Sequence, residues 1–330
     1  MTRALCNYFF KELILCIHLG LGMQKTSSKN VGWRRYKEVS VPWAVYDAHR
    51  VNECKHILDL QTLLTGLDRP VQRREFKISG LTVLLLLKIL FGVSYRTIAS
   101  ACKDLEIYRL LNMKRAPCYK TIQNTIGYLD ESFFMKMNTQ FHQSTVKLAG
   151  VDSSGLKTHR KGVWIQVRFH RFSRKHDFKK VHIFVDLQSK KILHCVMTKG
   201  NSHDAKQLTH MLKEMKWMTF EIILGDKAYD SRECFNAIKK QGGIPGIPVR
   251  TNATTHSRGS PSRRRAVLAQ RTDYEQWKKR VHFTMRCIVE CIFSGLKRRF
   301  GEYLFSINEK NRRIEMWLRT ILWNVLIYPR

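Results

Sequence analysis

From residue 148 onward the apolar residues stop recurring every three or four positions and gather into short β-branched runs bounded by turn residues. That switch of period constrains the fold more than any other feature of the chain. KLAGVDSSG is a short apolar run ending at Asp152, and KVHIFVDLQSKKILHCVMT reads as two strands joined at Gln188–Lys190. NSHDAKQLTHMLKEM follows as a helix, with Ser202 expected to cap it and Asp204 in its first turn. FEIILGD is a buried strand ending at Asp226, SRECFNAIKKQGG a helix capped by Ser231, and IPGIPV a further short strand. A basic loop is expected over 250–280, then a helix carrying Glu290 and a last helix, Met316–Ile327. Strands that come first and then alternate with helices specify an α/β fold with a mixed sheet.

Upstream of this segment the pattern is helical. Residues 76–148 read as helices over Ser79–Gly92, Tyr95–Leu111 and Tyr119 to about Val146, broken at Gly92–Ser94 and Ala116–Pro117. SYRTIA and CYKTIQNTI around the Pro-containing turn fit either a helix-turn-helix or a plain helical bundle. The expected organisation is an extension outside the fold at 1–22, a helical amino-terminal DNA-binding region at 23–147, and a catalytic domain at 148–330. The first 22 residues are interrupted by Lys11, Glu12 and His18, which rules out a signal-like apolar core, and Met23 opens a segment resembling a soluble amino terminus. TVLLLLKILFGV is too short to span a bilayer, so no membrane association is expected. The nine cysteines lack CxxC spacing, which points to free thiols and a cytoplasmic protein, nucleoid-associated if its partner is DNA; Cys287 and Cys291 read as helix packing.

Charge narrows the class of partner. Fifty-nine Lys and Arg against 26 Asp and Glu give a formal charge of +33, which requires a polyanion to neutralise it; DNA is the expected partner. Residues 157–180 and 250–280 each hold nine Lys or Arg, and the loop RGSPSRRR, with Arg263, Arg264 and Arg265, is expected to be mobile and to bind phosphate. Trp164 and Trp277 interleave with these runs and could stack on bases or simply pack.

In FTMRCIVECIFSGLK, Arg286, Glu290 and Lys297 fall within about 40° of one another on a helix of about 100° per residue, with Phe283 about 20° further round. Val281, Met285, Ile288, Val289, Ile292 and Leu296 form the opposite, core-facing arc. A lone glutamate there is ordinarily a solvated member of an i,i+4 ion pair. Asp152 and Asp226, each ending an apolar run, change that reading, because ligands of open α/β sheets bind at strand ends. Three carboxylates so placed suit Mg²⁺, or Mn²⁺ in its stead, and two such ions would clamp the attacking and leaving oxygens of a phosphoryl displacement. Asp186, Asp204 and Asp230 are rival acids that turns and caps explain, and His182 and His203 read as structural.

These motifs resemble the DDE-class insertion-sequence transposases with a ribonuclease-H-like catalytic domain, nearest the bacterial and archaeal groups four and five. VDSSG resembles the first-Asp motif, GDKAYD the second, and Phe283, Arg286, Glu290 and Lys297 the third, with Phe283 where the family usually has Tyr. The resemblance implies a ribonuclease-H-like mixed sheet preceded by a helical domain. It implies that Asp152, Asp226 and Glu290 hold two Mg²⁺ ions, and that Arg286, Lys297 and Tyr229 contact DNA or phosphate. The implied activity is cleavage at element ends followed by strand transfer into target DNA. The implied partners are terminal inverted repeats, target DNA and a second copy of the chain. Two alternatives stay open: a catalytically retired DNA-binding protein, and a metal-dependent nuclease without strand transfer.

Overall fold

A computed structural model describes residues 57, 60–68, 75–158 and 178–327. The expected extension at 1–22, most of the basic run 157–180, and Trp164 lie outside them. The chain divides into two compact units, Met1–Lys88 with Val93–Thr125, and Ile89–Gly92 with Ile126–Arg330.

The first unit is helical in its described residues. Helix α1 (Ile78–Phe91) is apolar on every side and buried from Ile78 to Ile89, as a helix enclosed by protein should be. Asp68 ties its first turn, accepting from the Ser79 amide at 2.9 Å and hydroxyl at 2.6 Å. The helix expected over Tyr95–Leu111 is two: α2 (Tyr95–Asp104), capped by Ser94, and α3 (Ile107–Leu110). The break falls at Glu106, whose φ of 51° no helix tolerates. Helix α4 (Tyr119–Thr125) packs on α2. The helix expected to continue to Val146 stops there, because Asp130 caps a separate helix, α5 (Glu131–Thr139), and a strand has begun by Thr145.

The second unit is built on one sheet: β1 (Thr145–Lys157), β2 (Phe178–Asp186), β3 (Ile192–Lys199), β4 (Thr219–Leu224) and β5 (Ile244–Gly246). The order is β3-β2-β1-β4-β5, with β1, β2 and β3 antiparallel in succession and β4 and β5 parallel to β1. This is the ribonuclease-H-like mixed sheet. The hairpin turns where expected, with Lys190 at φ 60° and Asp186 accepting from the Gln188 amide and Ser189 hydroxyl. Strand β1 runs five residues beyond Asp152, so Asp152 lies inside the strand rather than at its end. Its continuation is held by β2, which pairs with β1 as far as Lys157.

Helices cover both faces. Ala149 and Val151 point into a core with Leu208 and Met211 of α6 (Asp204–Glu214) and Phe235 and Ile238 of α7 (Arg232–Lys240). The alternate residues of β1 face α10 (Cys287–Phe300), and α11 (Glu309–Leu326) packs on β3. Ser231 caps α7 as expected, but Ser202 does not cap α6: His203 occupies that position and Asp204 pairs with Lys180 at 2.7 Å. The basic stretch expected as a loop over 250–280 is irregular only as far as Ser260 and helical from there on. Pro261 opens α8 (Pro261–Thr272), its fixed φ suiting a first helical turn, and Asp273 caps α9 (Tyr274–Arg280). Among the described residues no single helix is long and apolar enough to cross a membrane.

Helix α11 starts well before the expected Met316, because Asn308 caps it and its early turns anchor the preceding loop. Glu315, 2 % exposed, accepts from the Phe305 and Ser306 amides and pairs with Arg319 at 2.8 Å. Arg319 in turn donates to the Gly301 and Tyr303 carbonyls. Removing one member leaves the other charge buried and alone, which typically costs about 3–5 kcal/mol. Glu315→Ala is therefore expected to lower unfolding stability by about that amount in urea titration; a loss under about 1 kcal/mol would contradict this role.

Candidate active site

The parallel register of β1 and β4 brings the two aspartates level. Gly150 pairs with Leu224, and Asp152 and Asp226 each stand two residues further along. Neighbouring strands lie about 4.8 Å apart, so the two positions are adjacent across the sheet. Asp226 has left the strand and caps a 3-10 turn over Lys227–Tyr229, accepting from the Ala228 amide at 2.9 Å.

A glycine brings the third acid to them. A Cβ at Gly150 would sit 2.6 Å from Val289 Cγ2, so only a bare backbone lets α10 lie this close to β1. Positions 150, 152 and 154 share one face of the strand. Val289 meets Gly150, and eight residues later Lys297 donates to Ser154 Oγ at 2.8 Å. Eight helical residues rise about 12 Å and four strand residues about 13 Å, so the helix keeps pace with the strand between those contacts. Glu290 follows Val289 in the first turn of α10, where the helix dipole favours a carboxylate.

Arg286 joins the strand to the helix. Its guanidinium donates to Asp152 Oδ2 at 3.2 Å and to Glu290 Oε1 at 2.5 Å. The expected continuous helix from Phe283 is interrupted beneath it. His282 has φ 53°, Phe283–Arg286 form a 3-10 turn, and the α-helix begins at Cys287. That offset turns Met285 out to solvent, at 38 % exposure, against the expectation of a core residue; Cys287 and Cys291 are exposed as well and do not pack inward. Phe283 packs instead of reaching outward. Its ring lies 5.4 Å from Trp277, which stacks at 5.4 Å on Tyr274. Trp277 is 2 % exposed and has no free face to offer a base.

Burial pushes the Asp152 carboxyl above its usual range, the Ser153 amide and Arg286 pull it down, and Asp226 and Glu290 push it up again. The first aspartate therefore feels both other acids. Three hard carboxylate donors, one of them unsettled by burial and by like charge, suit a divalent cation that would relieve both. Among the described residues no group of three or more His, Cys, Asp or Glu side chains converges tightly enough to hold a metal ion. Arg286 stands between two of the three acids, so a cation there would compete with its guanidinium.

The remaining expected residues divide. Tyr229 is buried at 1 %, its hydroxyl unpartnered among the described residues and its ring against Gly225. Burial, with Asp204, Asp152 and Asp226 nearby, holds the phenol well above its usual pKa. DNA cannot touch a ring so enclosed, which corrects the expectation of a phosphate contact. Arg263 forks onto the buried Asp230 at 2.7 and 3.0 Å, and the Arg250 amide donates to the same carboxylate. Its guanidinium is engaged inside the fold and not offered to phosphate. Arg264 and Arg265 are exposed on α8. Sequence reasoning missed Ser154 as the partner of Lys297 and Gly150 as the contact that seats α10; the small residues flanking Asp152 were the available signal.

Two outcomes are expected. Asp230→Ala strands the Arg263 guanidinium and should destabilise the fold by about 3 kcal/mol in urea unfolding; a neutral result would return Asp230 to the rival acids. His182 is fully buried on β2, Nε2 bonded to the Thr198 hydroxyl at 2.9 Å and Nδ1 3.3 Å from Asp204. Burial lowers its pKa from 6.5 to about 4. The unfolded chain then binds the extra proton between those values, so this residue makes stability fall as pH drops from about 6.5 to about 4. His182→Gln should show a shallower loss of stability than wild type across that window, and equal slopes would contradict the assignment.

Residues 148–325 match the family described as the transposase DDE domain. Among solved structures, the piggyBac transposase synaptic complex with hairpin DNA is similar at 10 % identity and a TM-score of 0.40, covering 84 % of this chain and 72 % of that one. The matched family segment takes in β1 through α11 apart from the first residues of β1 and the last of α11, and it contains all three acids, Arg286 and Lys297. The chain belongs to the DDE transposase family.

Proposed function

We propose that the protein is a divalent-metal-dependent DNA transposase, of the kind found in insertion-sequence groups four and five, that cleaves DNA at element ends and joins the freed strand to target DNA. The observation that supports this most is the juxtaposition on one face of the sheet. The β1–β4 register aligns Asp152 with Asp226, and the close seat of α10 on Gly150 adds Glu290, Arg286 and Lys297.

Asp152, Asp226 and Glu290 are the residues that would hold Mg²⁺ or Mn²⁺, which when bound supply Lewis-acid activation of the attacking and leaving oxygens. The chain's own groups do the rest. Lys297, held by Ser154 two residues along β1 from Asp152, presents a point charge, and a phosphate oxygen can replace the serine hydroxyl as its partner. Arg286 can exchange its two carboxylates for a phosphate in a bidentate fork. The charge of +33 draws and retains the polyanion. Acting as a homodimer, the protein would bring two inverted-repeat ends together.

The test is cleavage of DNA carrying the gene's native flanks, in Mg²⁺ or EDTA. Asp226→Asn is expected to reduce metal-dependent nicking to background while DNA affinity stays equal or rises, since one negative charge near phosphate is removed. Full activity in that variant would remove Asp226 from the site. Nicks without joined products would favour a nuclease, and binding with no cleavage in either metal a DNA-binding protein.

A further inference from the structure

At the free edge of the sheet, β5, α7, α8 and α9 enclose a cleft of about 370 Å³. Its apolar lining includes the buried Trp277 and the exposed Ile244, and Lys239, Arg265 and Arg280 line it as well. Among the described residues no acidic side chain lines it. Among the described residues none of these three cations has a hydrogen bond or an ion pair, whereas Arg263, two residues from Arg265, is fully engaged by Asp230. Three exposed cations without an acidic partner around one concavity raise the positive potential there, which favours an anion.

A second feature of the same cleft points to the same ligand. Ser262, also in the lining, is 8 % exposed and its buried hydroxyl has no hydrogen-bond partner. It sits in the first turn of α8, a helix of 12 residues, where unbonded amides and the helix dipole favour an anion. Unpaired guanidinium and ammonium groups beside a helix amino terminus are chemistry for a phosphate oxygen.

The cleft is separate from the three acids. Ile244 pairs with Ile222, four residues before Asp226, which places it about 13 Å back along the strand direction. For a duplex whose axis runs along β4, at 3.4 Å of axis per nucleotide on one strand, that spans about four nucleotides.

We propose that this cleft seats a backbone phosphate of the DNA substrate about four nucleotides from the phosphate being cut. The inference rests on the DNA-processing reading above and adds a second anchor that fixes the strand's path without touching the reacting atoms. Such an anchor sets register and affinity and leaves the chemical step to the carboxylates.

The experiment measures the salt dependence of duplex binding by fluorescence anisotropy, using the full chain. Arg265→Gln/Arg280→Gln is compared with Lys213→Gln/Lys216→Gln, which removes equal charge from exposed positions before β4. All four side chains are exposed, and thermal unfolding is measured on both variants to establish that they fold. The cleft variant should flatten the slope of log K against log salt by about 0.9, the value for one lost phosphate contact, and the control by much less. In wild type, a duplex with one neutral methylphosphonate about four nucleotides from the nick should lose a similar contact, and in the cleft variant that substitution should have no further effect.

An unchanged slope in the cleft variant, or an equal change in the control, would overturn the proposal. So would a thermal shift with inorganic phosphate that the cleft variant abolishes while its DNA slope stays unchanged, since the cleft would then serve a free anion. Nicking assayed in parallel separates the two readings. Wild-type nicking with an unaltered cleft-variant slope sinks the cleft alone, and failure of wild type to bind DNA sinks both.

Discussion

The site is organised by one arginine. Arg286 spans from Asp152 on β1 to Glu290 on α10, tying the central strand to a helix more than 130 residues away in sequence. Three acids gathered on one face would repel each other, and the guanidinium offsets part of that cost while fixing the angle at which α10 meets the sheet. A divalent cation would make the same demand on the same two carboxylates. The arginine and the metal are thus alternatives for one charge, and a phosphate is the natural third partner that releases the arginine from this competition.

Arg286 is placed by one long-range contact and by the local geometry of its own turn. Gly150 permits the close approach, His282 in the left-handed region offsets the helix start, and Phe283 packs on Trp277 to hold the turn between them. The family's usual tyrosine at Phe283 would add a hydroxyl, but the ring's packing role survives without it. Elsewhere, buried polar pairs hold loops: Glu315, paired with Arg319, accepts from the Phe305 and Ser306 amides, and Asp230, paired with Arg263, from the Arg250 amide.

Much of this was legible in the sequence, and its failures have specific causes. The hairpin turn, the strand leading to Asp226, the Ser231 cap and the acid–base stripe of 286, 290 and 297 follow from periodicity and turn chemistry. Asp152 was misplaced to a strand end because Ser-Ser-Gly reads as a turn; pairing with β2 overrides that local preference and carries the strand onward. The basic stretch 250–280 read as a loop because charge hides helical periodicity, although Pro261 and Asp273 were both start signals. The resemblance implies a DNA contact for Tyr229, and a run of basic residues implies one for Arg263. Whether such a side chain turns to solvent or into the fold depends on long-range packing, and no spacing in the sequence encodes it.

The most direct test of the account is a Mn²⁺ titration followed by electron paramagnetic resonance, on wild type and on Asp152→Asn, Asp226→Asn and Glu290→Gln, with and without duplex DNA. If the three carboxylates form one metal site shared with Arg286, each substitution should weaken Mn²⁺ binding, and DNA should tighten it in wild type by drawing the guanidinium to phosphate. Mn²⁺ binding that is equal in wild type and all three variants, with or without DNA, would contradict the account.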